Sequence, residues 1–129
     1  SFLQKRKENF LALEDSLQGL EGFRILPQPI DQTFTSSHYC MGILLESDLL
    51  NKRKEIMESL KALGVGTSIY YPHPVPHMTY YREKYGSIDC PNSQSISDSI
   101  IALPVGPHLD IEDMHTIGDR LDAVLKKLI

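Results

Sequence analysis

Two cysteines, Cys40 and Cys90, are all the thiol chemistry this chain carries. One sits in an apolar strand-like run and the other just before Pro91, so they build no disulfide framework and are read as reduced, partly buried residues of a cytoplasmic protein. A basic surplus is also missing: 13 Lys and Arg against 17 Asp and Glu give a net charge of −4. Phosphate backbones attract basic surfaces, so nucleic acid is not an expected partner. The densest basic cluster, Lys52-Arg53-Lys54, alternates with Asp48, Glu55 and Glu58 and reads as a solvated helix face. No apolar run approaches the roughly 20 residues that span a bilayer. The opening SFLQKRKENFLALED is charged and amphipathic rather than signal-like, which makes a membrane an unexpected partner too. The nucleotide-binding runs G-x-G-x-x-G and G-x-x-x-x-G-K-[ST], the zinc motif H-E-x-x-H and the nucleophile elbow G-x-S-x-G are all absent.

What remains is an ordinary globule of 129 residues, 41% apolar and 23% charged, enough for one domain with one core. Phe2, Phe10, Leu13, Leu17 and Leu20 recur at helical spacing, which predicts a helix from about residue 2 to residue 18, with Gly22 as a stop. FRIL follows as a short strand, and Pro27 and Pro29 forbid its continuation in a sheet interior. The stretch from Phe34 to Leu45 reads as a central strand, with Tyr39, Met41, Ile43 and Leu45 on one face and His38, Cys40, Gly42 and Leu44 on the other. Asp48 is the expected cap of a helix over 48–62 whose buried stripe is Leu49, Ile56, Leu60 and Leu63, ended by Gly64. A second strand is expected from Val65 to Tyr70, a helical turn or two before Gly86, a short helix opened by Pro91, and a strand in IIALPV. The last helix begins near Asp110, with Asp113 as capping-box partner. Its apolar line is Ile111, Met114, Ile117, Leu121, Val124 or Leu125, and Leu128, and Gly118 is a candidate close-packing point. The order predicts a two-layer α/β sandwich, a small sheet of three to five strands packed against three main helices.

The segment GTSIYYPHPVPHMTYY, residues 66–81, has no use in a plain core. Each residue before a proline is pushed toward extended geometry, so Tyr71, His73 and Val75 are expected in a stiff rod that presents Tyr70, Tyr71, His73 and His77. Phenols and imidazoles hold sugars, phosphates or aromatic rings by hydrogen bonds and stacking. A rigid linker whose tyrosines pack on the domain is the alternative, and Tyr81 and Tyr85, on one helical face, are read as packing residues. Metal is not expected: Pro74 and Pro76 keep His73 and His77 off a common helix face. No catalytic serine, cysteine or lysine stands out, Cys90 beside His77 included.

Four blocks in order, KRKENFLALEDSL, SSHYCMGILL, LKALGVGTSIYYPHPVPHMTYYREKYG and CPNSQSISDSIIALPVGPHLDIEDM, resemble the C-terminal small domain of the DegT/DnrJ/EryC1/StrS family of pyridoxal-phosphate-dependent sugar aminotransferases, which have fold type I. The departures are Tyr70 where many members have histidine, Ser93-Gln94 where Ala-Glu is common, and Ala102 in place of the serine of Ser-Leu-Pro. The resemblance implies that residues 1–129 are one small domain whose large cofactor-binding domain is absent. It further implies that the Schiff-base lysine and the other pyridoxal phosphate contacts lie in that large domain, leaving no cofactor-binding or catalytic residue here. The whole enzyme would then pass an amino group from glutamate to a nucleotide-linked keto-sugar as a cytoplasmic homodimer. The domain would close the substrate cleft with Tyr70, Tyr71, His73 and His77, and would be inactive alone. The start at Ser1 fits excision from a longer chain. Two alternatives stay open: a standalone small-molecule-binding or regulatory α/β domain, and a protein-interaction module offering YPHPVP to an aromatic groove.

Overall fold

The computed structural model describes residues 1–28 and 31–129. It contains α1 (Phe2–Ser16), β1 (Phe23–Ile25), β2 (Cys40–Leu45), a 3-10 segment (Ser47–Lys52) leading into α2 (Arg53–Ala62), and a 3-10 turn (Val75–His77). Then come α3 (Thr79–Tyr85), α4 (Pro91–Ser99), β3 (Ile100–Pro104) and α5 (Ile111–Leu128). The sheet is antiparallel in the order β1-β2-β3, so β2 is central as its apolar residues require. Met41, Ile43 and Leu45 meet Ile101 and Leu103 in one core with Phe10 and Leu13 of α1, Ile56 and Leu60 of α2, and Met114 and Leu121 of α5. On the opposite sheet face Leu26 and Ile100 lie over Gly42, where a Cβ would come within 3.3 Å of Ile100 Cδ1. A small α/β sandwich results, with three main helices against three strands.

The two long helices are well specified. Asp110 and Asp113 exchange side-chain-to-backbone bonds of 2.9 Å each, a complete capping box at the start of α5. Gly118 lies where α5 meets α1: an added Cβ would fall 2.7 Å from Ser16 Cβ, and beside it Ser16 Oγ hydrogen-bonds His115 Nδ1 at 2.8 Å. At the end of α2, Val65 N–H donates to Leu60 O and Gly64 N–H to Lys61 O, both at 2.9 Å, with Gly64 at φ +84°. That turn lets Val65 enter the core and leaves Leu63 42% exposed, against its expected place in the buried stripe.

Four further expectations are corrected. The strand foreseen from Phe34 is only Cys40–Leu45, because Cys40 pairs with Pro104, where β3 ends. Upstream, Asp31 accepts from Thr33 N–H at 2.8 Å and His38 turns to φ +46°, so the chain bends instead of extending. Val65–Tyr70 contributes a single bridge, Ser68 to Ala102, with bonds of 3.2 and 2.8 Å; the next pair toward Gly66 would need an N–H from Pro104, which has none, and toward Tyr70 the N–H of Ile100 is already given to Ile96 O at the end of α4. Asp48 makes no cap: the segment opens as a 3-10 helix at Ser47, whose φ is +49°, with Glu46 before it and no side-chain bond. Lys52 and Arg53 are not free solvated charges either. Lys52 Nζ donates to Leu128 O and Arg53 Nη1 to Ser97 O, each at 2.5 Å, so both satisfy carbonyls at helix C-termini. Pro29 lies outside the described residues. Cys40 and Cys90 are both free and half-buried. Among the described residues no helix is long and apolar enough to cross a membrane.

Candidate functional site

The unpaired edge of β3, beyond the Ser68 bridge, opens into a groove of about 300 Å³. Arg6 of α1, Tyr39 and Cys40 at the start of β2, Ser68 and Tyr70 from the loop after α2, and His108 after β3 line it. Three local devices assemble these distant residues. The Ser68 bridge pins the loop to the sheet. Fully buried Asn9 donates through Nδ2 to Gly106 O and Leu109 O at 3.0 Å and to Val105 O at 3.4 Å, clamping the 105–109 segment onto α1. The His108 ring folds back over Gly106, where a Cβ would lie 2.6 Å from its Cε1.

Aromatic rings form the groove wall. Tyr39 and Tyr70 have centroids 6.2 Å apart, Tyr70 and Tyr71 5.4 Å apart, and the Arg6 guanidinium lies 5.6 Å from the Tyr39 ring centre. Hydrogen bonding between the Tyr39 and Tyr70 phenols, and the repulsion between their anions, hold the Tyr39 phenol above its ordinary value, with Arg6 opposing. Tyr39 is therefore a neutral hydroxyl donor at physiological pH. Burial pushes the Cys40 thiol up, which keeps it protonated and poorly nucleophilic.

The structure brings together part of the residue set expected from sequence. Tyr70 lines the groove and Tyr71 lies tilted against it, 64% exposed. His73 is exposed, while its neighbour Pro74 is buried and anchors the loop. The extended rod ends there: His77 N–H donates to Pro74 O and Met78 N–H to Val75 O, closing a 3-10 turn through Val75. His77 is half-buried: its Nε2–H donates to Ile88 O at 2.6 Å, which holds the loop to the segment leading into α4, and its Nδ1 lies 2.9 Å from the side-chain amide of Gln94 in α4. Tyr81 and Tyr85 stack on one another at 6.5 Å and 12° yet stay exposed, so they are not packing residues of the core. Arg6, Tyr39, Ser68 and His108 escaped sequence reasoning. Arg6 hides in the charged run Lys5-Arg6-Lys7, and Tyr39 looks like one more strand residue.

A three-stranded antiparallel sheet under helices, with an aromatic loop at its open edge, is the small-domain topology of fold-type-I aminotransferases. The chain belongs to the DegT/DnrJ/EryC1/StrS aminotransferase family, whose model matches residues 1–122. It is similar to a UDP-4-amino-4,6-dideoxy-N-acetyl-beta-L-altrosamine transaminase of Campylobacter jejuni, 25% identical over 93 residues, covering 72% of this chain and 24% of that protein. Among solved structures, Helicobacter pylori PseC, an aminotransferase involved in the biosynthesis of pseudoaminic acid, superposes with a TM-score of 0.86 at 22% identity, covering 98% of this chain and 33% of that one. Spr1654 of Streptococcus pneumoniae, in its PLP form, gives a TM-score of 0.83 at 23% identity, covering 99% and 32%. The chain thus spans about a quarter of the curated relative's length and about a third of the solved chains.

Pyridoxal phosphate, the cofactor this family implies, needs a lysine amine within reach of its aldehyde. The groove offers Arg6 and no lysine, so the residues present do not fit the group by themselves.

Proposed function

We propose that residues 1–129 are the C-terminal small domain of a pyridoxal-phosphate-dependent enzyme that transfers an amino group from glutamate to a nucleotide-linked keto-sugar. The domain walls the substrate cleft, and the reactive lysine and the cofactor belong to a large domain outside this chain. The observation that carries this is the groove itself: aromatic, open on one side, placed at a free sheet edge and without a lysine. Tyr70 and Tyr71 face the sugar or its nucleotide, and His73 extends that wall. His77 acts one step back, holding the loop against α4. The wall excludes water and orients the ligand by stacking and hydroxyl donation, which is where an incomplete site contributes to rate. The whole protein works as a cytoplasmic homodimer, and the domain alone is inactive.

The test compares the isolated chain with the complete product of its gene. With pyridoxal phosphate, glutamate and a nucleotide-linked keto-sugar, the complete product forms 2-oxoglutarate. The 129-residue chain forms none and shows no stoichiometric visible band from a lysine-bound cofactor. Turnover or such a band from the isolated chain overturns the proposal.

A further inference from the structure

The groove's electrostatics go beyond a wall for a sugar. This chain is acidic overall, with a net charge of −4, yet no carboxylate lines the groove. Four other shallow cavities each hold at least one: Asp113 beside Arg120, Asp122 beside Lys126, Glu58 beside Lys61, and Glu46 with Asp48 beside Lys52. In one of them the pair is closed, Lys126 Nζ to Asp122 Oδ2 at 2.6 Å, and in the others a carboxylate shares the cavity with the cation. Arg6 has no such partner among the described ion pairs and hydrogen bonds, and its Nε is shielded from water without an acceptor. A surface arginine that merely stacks on a tyrosine keeps its N–H groups hydrated, whereas a shielded, unpaired guanidinium N–H is costly and rare. Around it stand three hydroxyl donors, Tyr39, Tyr70 and Ser68, on the same groove.

We infer that Arg6, with the phenols of Tyr39 and Tyr70, binds an anionic oxygen group of the ligand, a phosphate or a carboxylate, in this groove. The inference deepens, and rests on, the assignment of the groove to the substrate cleft. A guanidinium presents paired N–H donors to either group in one plane, and the phenols supply further donors from the side. The phosphate source would be the diphosphate of a nucleotide sugar, and the carboxylate source the amino donor. Arg6 is then a binding residue rather than a packing one.

The experiment titrates the chain with inorganic pyrophosphate in one arm and 2-oxoglutarate in the other, following backbone amide and tyrosine ring resonances. One arm is expected to give saturable shifts centred on Tyr39, Gly66, Ser68 and Tyr70. Arg6→Gln should weaken that binding about tenfold or more, the usual loss with a charge-assisted hydrogen bond. Arg6→Lys, which keeps the charge and loses the fork, should fall in between. Lys7→Gln, an exposed neighbour with the same charge, should stay within about twofold, as expected of a rim charge. If neither anion saturates, or Arg6→Gln and Lys7→Gln weaken binding equally, the subsite does not exist. A melting curve for each variant separates lost binding from lost folding, and Arg6→Lys decides the matter if Arg6→Gln does not fold. Because binding is read without turnover, saturable binding in a gene product that fails to transaminate would sink the functional assignment and leave the subsite standing.

Discussion

The helical side of this domain and its groove side are built from the same types of residue to opposite ends. On the helical side Leu13, Ile101, Leu103 and Leu121 have no exposed surface, and Lys52, Arg53 and Lys126 each find a helix carbonyl or a carboxylate. On the groove side aromatic surface is left in water: Tyr39 on the groove and Tyr71 beside it are each more than 60% exposed. A monomer gains nothing from exposed aromatic clusters, and such patches mark interaction sites. The difference teaches that one side holds the domain together and the other is shaped for something the domain does not contain.

The sharpest way to break that comparison is to truncate one residue on each side. Leu121→Ala removes a fully buried α5 side chain from the core formed with α1 and the sheet. It should cost about 3 kcal/mol, within the usual range for leucine truncation in a core. Tyr71→Ala should cost no more than about 0.5 kcal/mol, as surface substitutions do. Urea unfolding of the two variants measures both. A Tyr71→Ala cost approaching that of Leu121→Ala would mean the aromatic loop is core after all.

The helical side was legible in sequence because its signals are local. The apolar spacing of α5 from Met114 onward, the Asp110–Asp113 box and the Gly64 stop each lie within a few turns of chain, and each appears in the structure as expected, whereas Ile111 in the first turn of α5 stays 42% exposed against its expected place in the line. Gly118 as a close-packing point was legible for the same reason. Errors arose where a local rule met a tertiary fact. Leu63 continues the stripe of α2, yet the Gly64 turn hands its place to Val65. Val65–Tyr70 has strand-forming residues, but opposite it Pro104 has no N–H and the N–H of Ile100 is spent on Ile96 O, so a longer pairing lacks its donors. The groove was hardest to foresee. Tyr70 could be named from its loop, whereas Arg6, Tyr39 and His108 come from separate elements that only the folded sheet edge gathers.

A second prediction tests the joint between the two sides. Asn9 belongs to α1 by position, and it serves the groove by holding the 105–109 rim. Asn9→Ala leaves the carbonyls of Val105, Gly106 and Leu109 without this donor. Orphaning buried acceptors and losing their bonds should cost about 2 kcal/mol. Hydrogen exchange should quicken first at the amides of Gly106, His108 and Leu109, while the centre of α5 keeps its protection relative to global stability. Uniform loss of protection would show that Asn9 supports the core and not the rim.

The smallest effect concerns Cys40, which stands on the border itself, first residue of β2 and part of the groove floor. Partial burial raises its thiol above the ordinary value of about 8.5. A raised value in the folded state means that the unfolded chain ionises first. The stability linked to the neutral thiol is therefore complete below about pH 8.5 and fades as pH rises through the folded-state value. Because the residue is only half-buried, little stability is at stake, and reactivity is the better readout. Alkylation of Cys40 by iodoacetamide, followed by peptide mass spectrometry, should reach half its maximal rate at a higher pH in the folded chain than in urea. A midpoint equal to or below that of the unfolded chain would show that Arg6 and open water, rather than the apolar sheet, set the character of the groove floor.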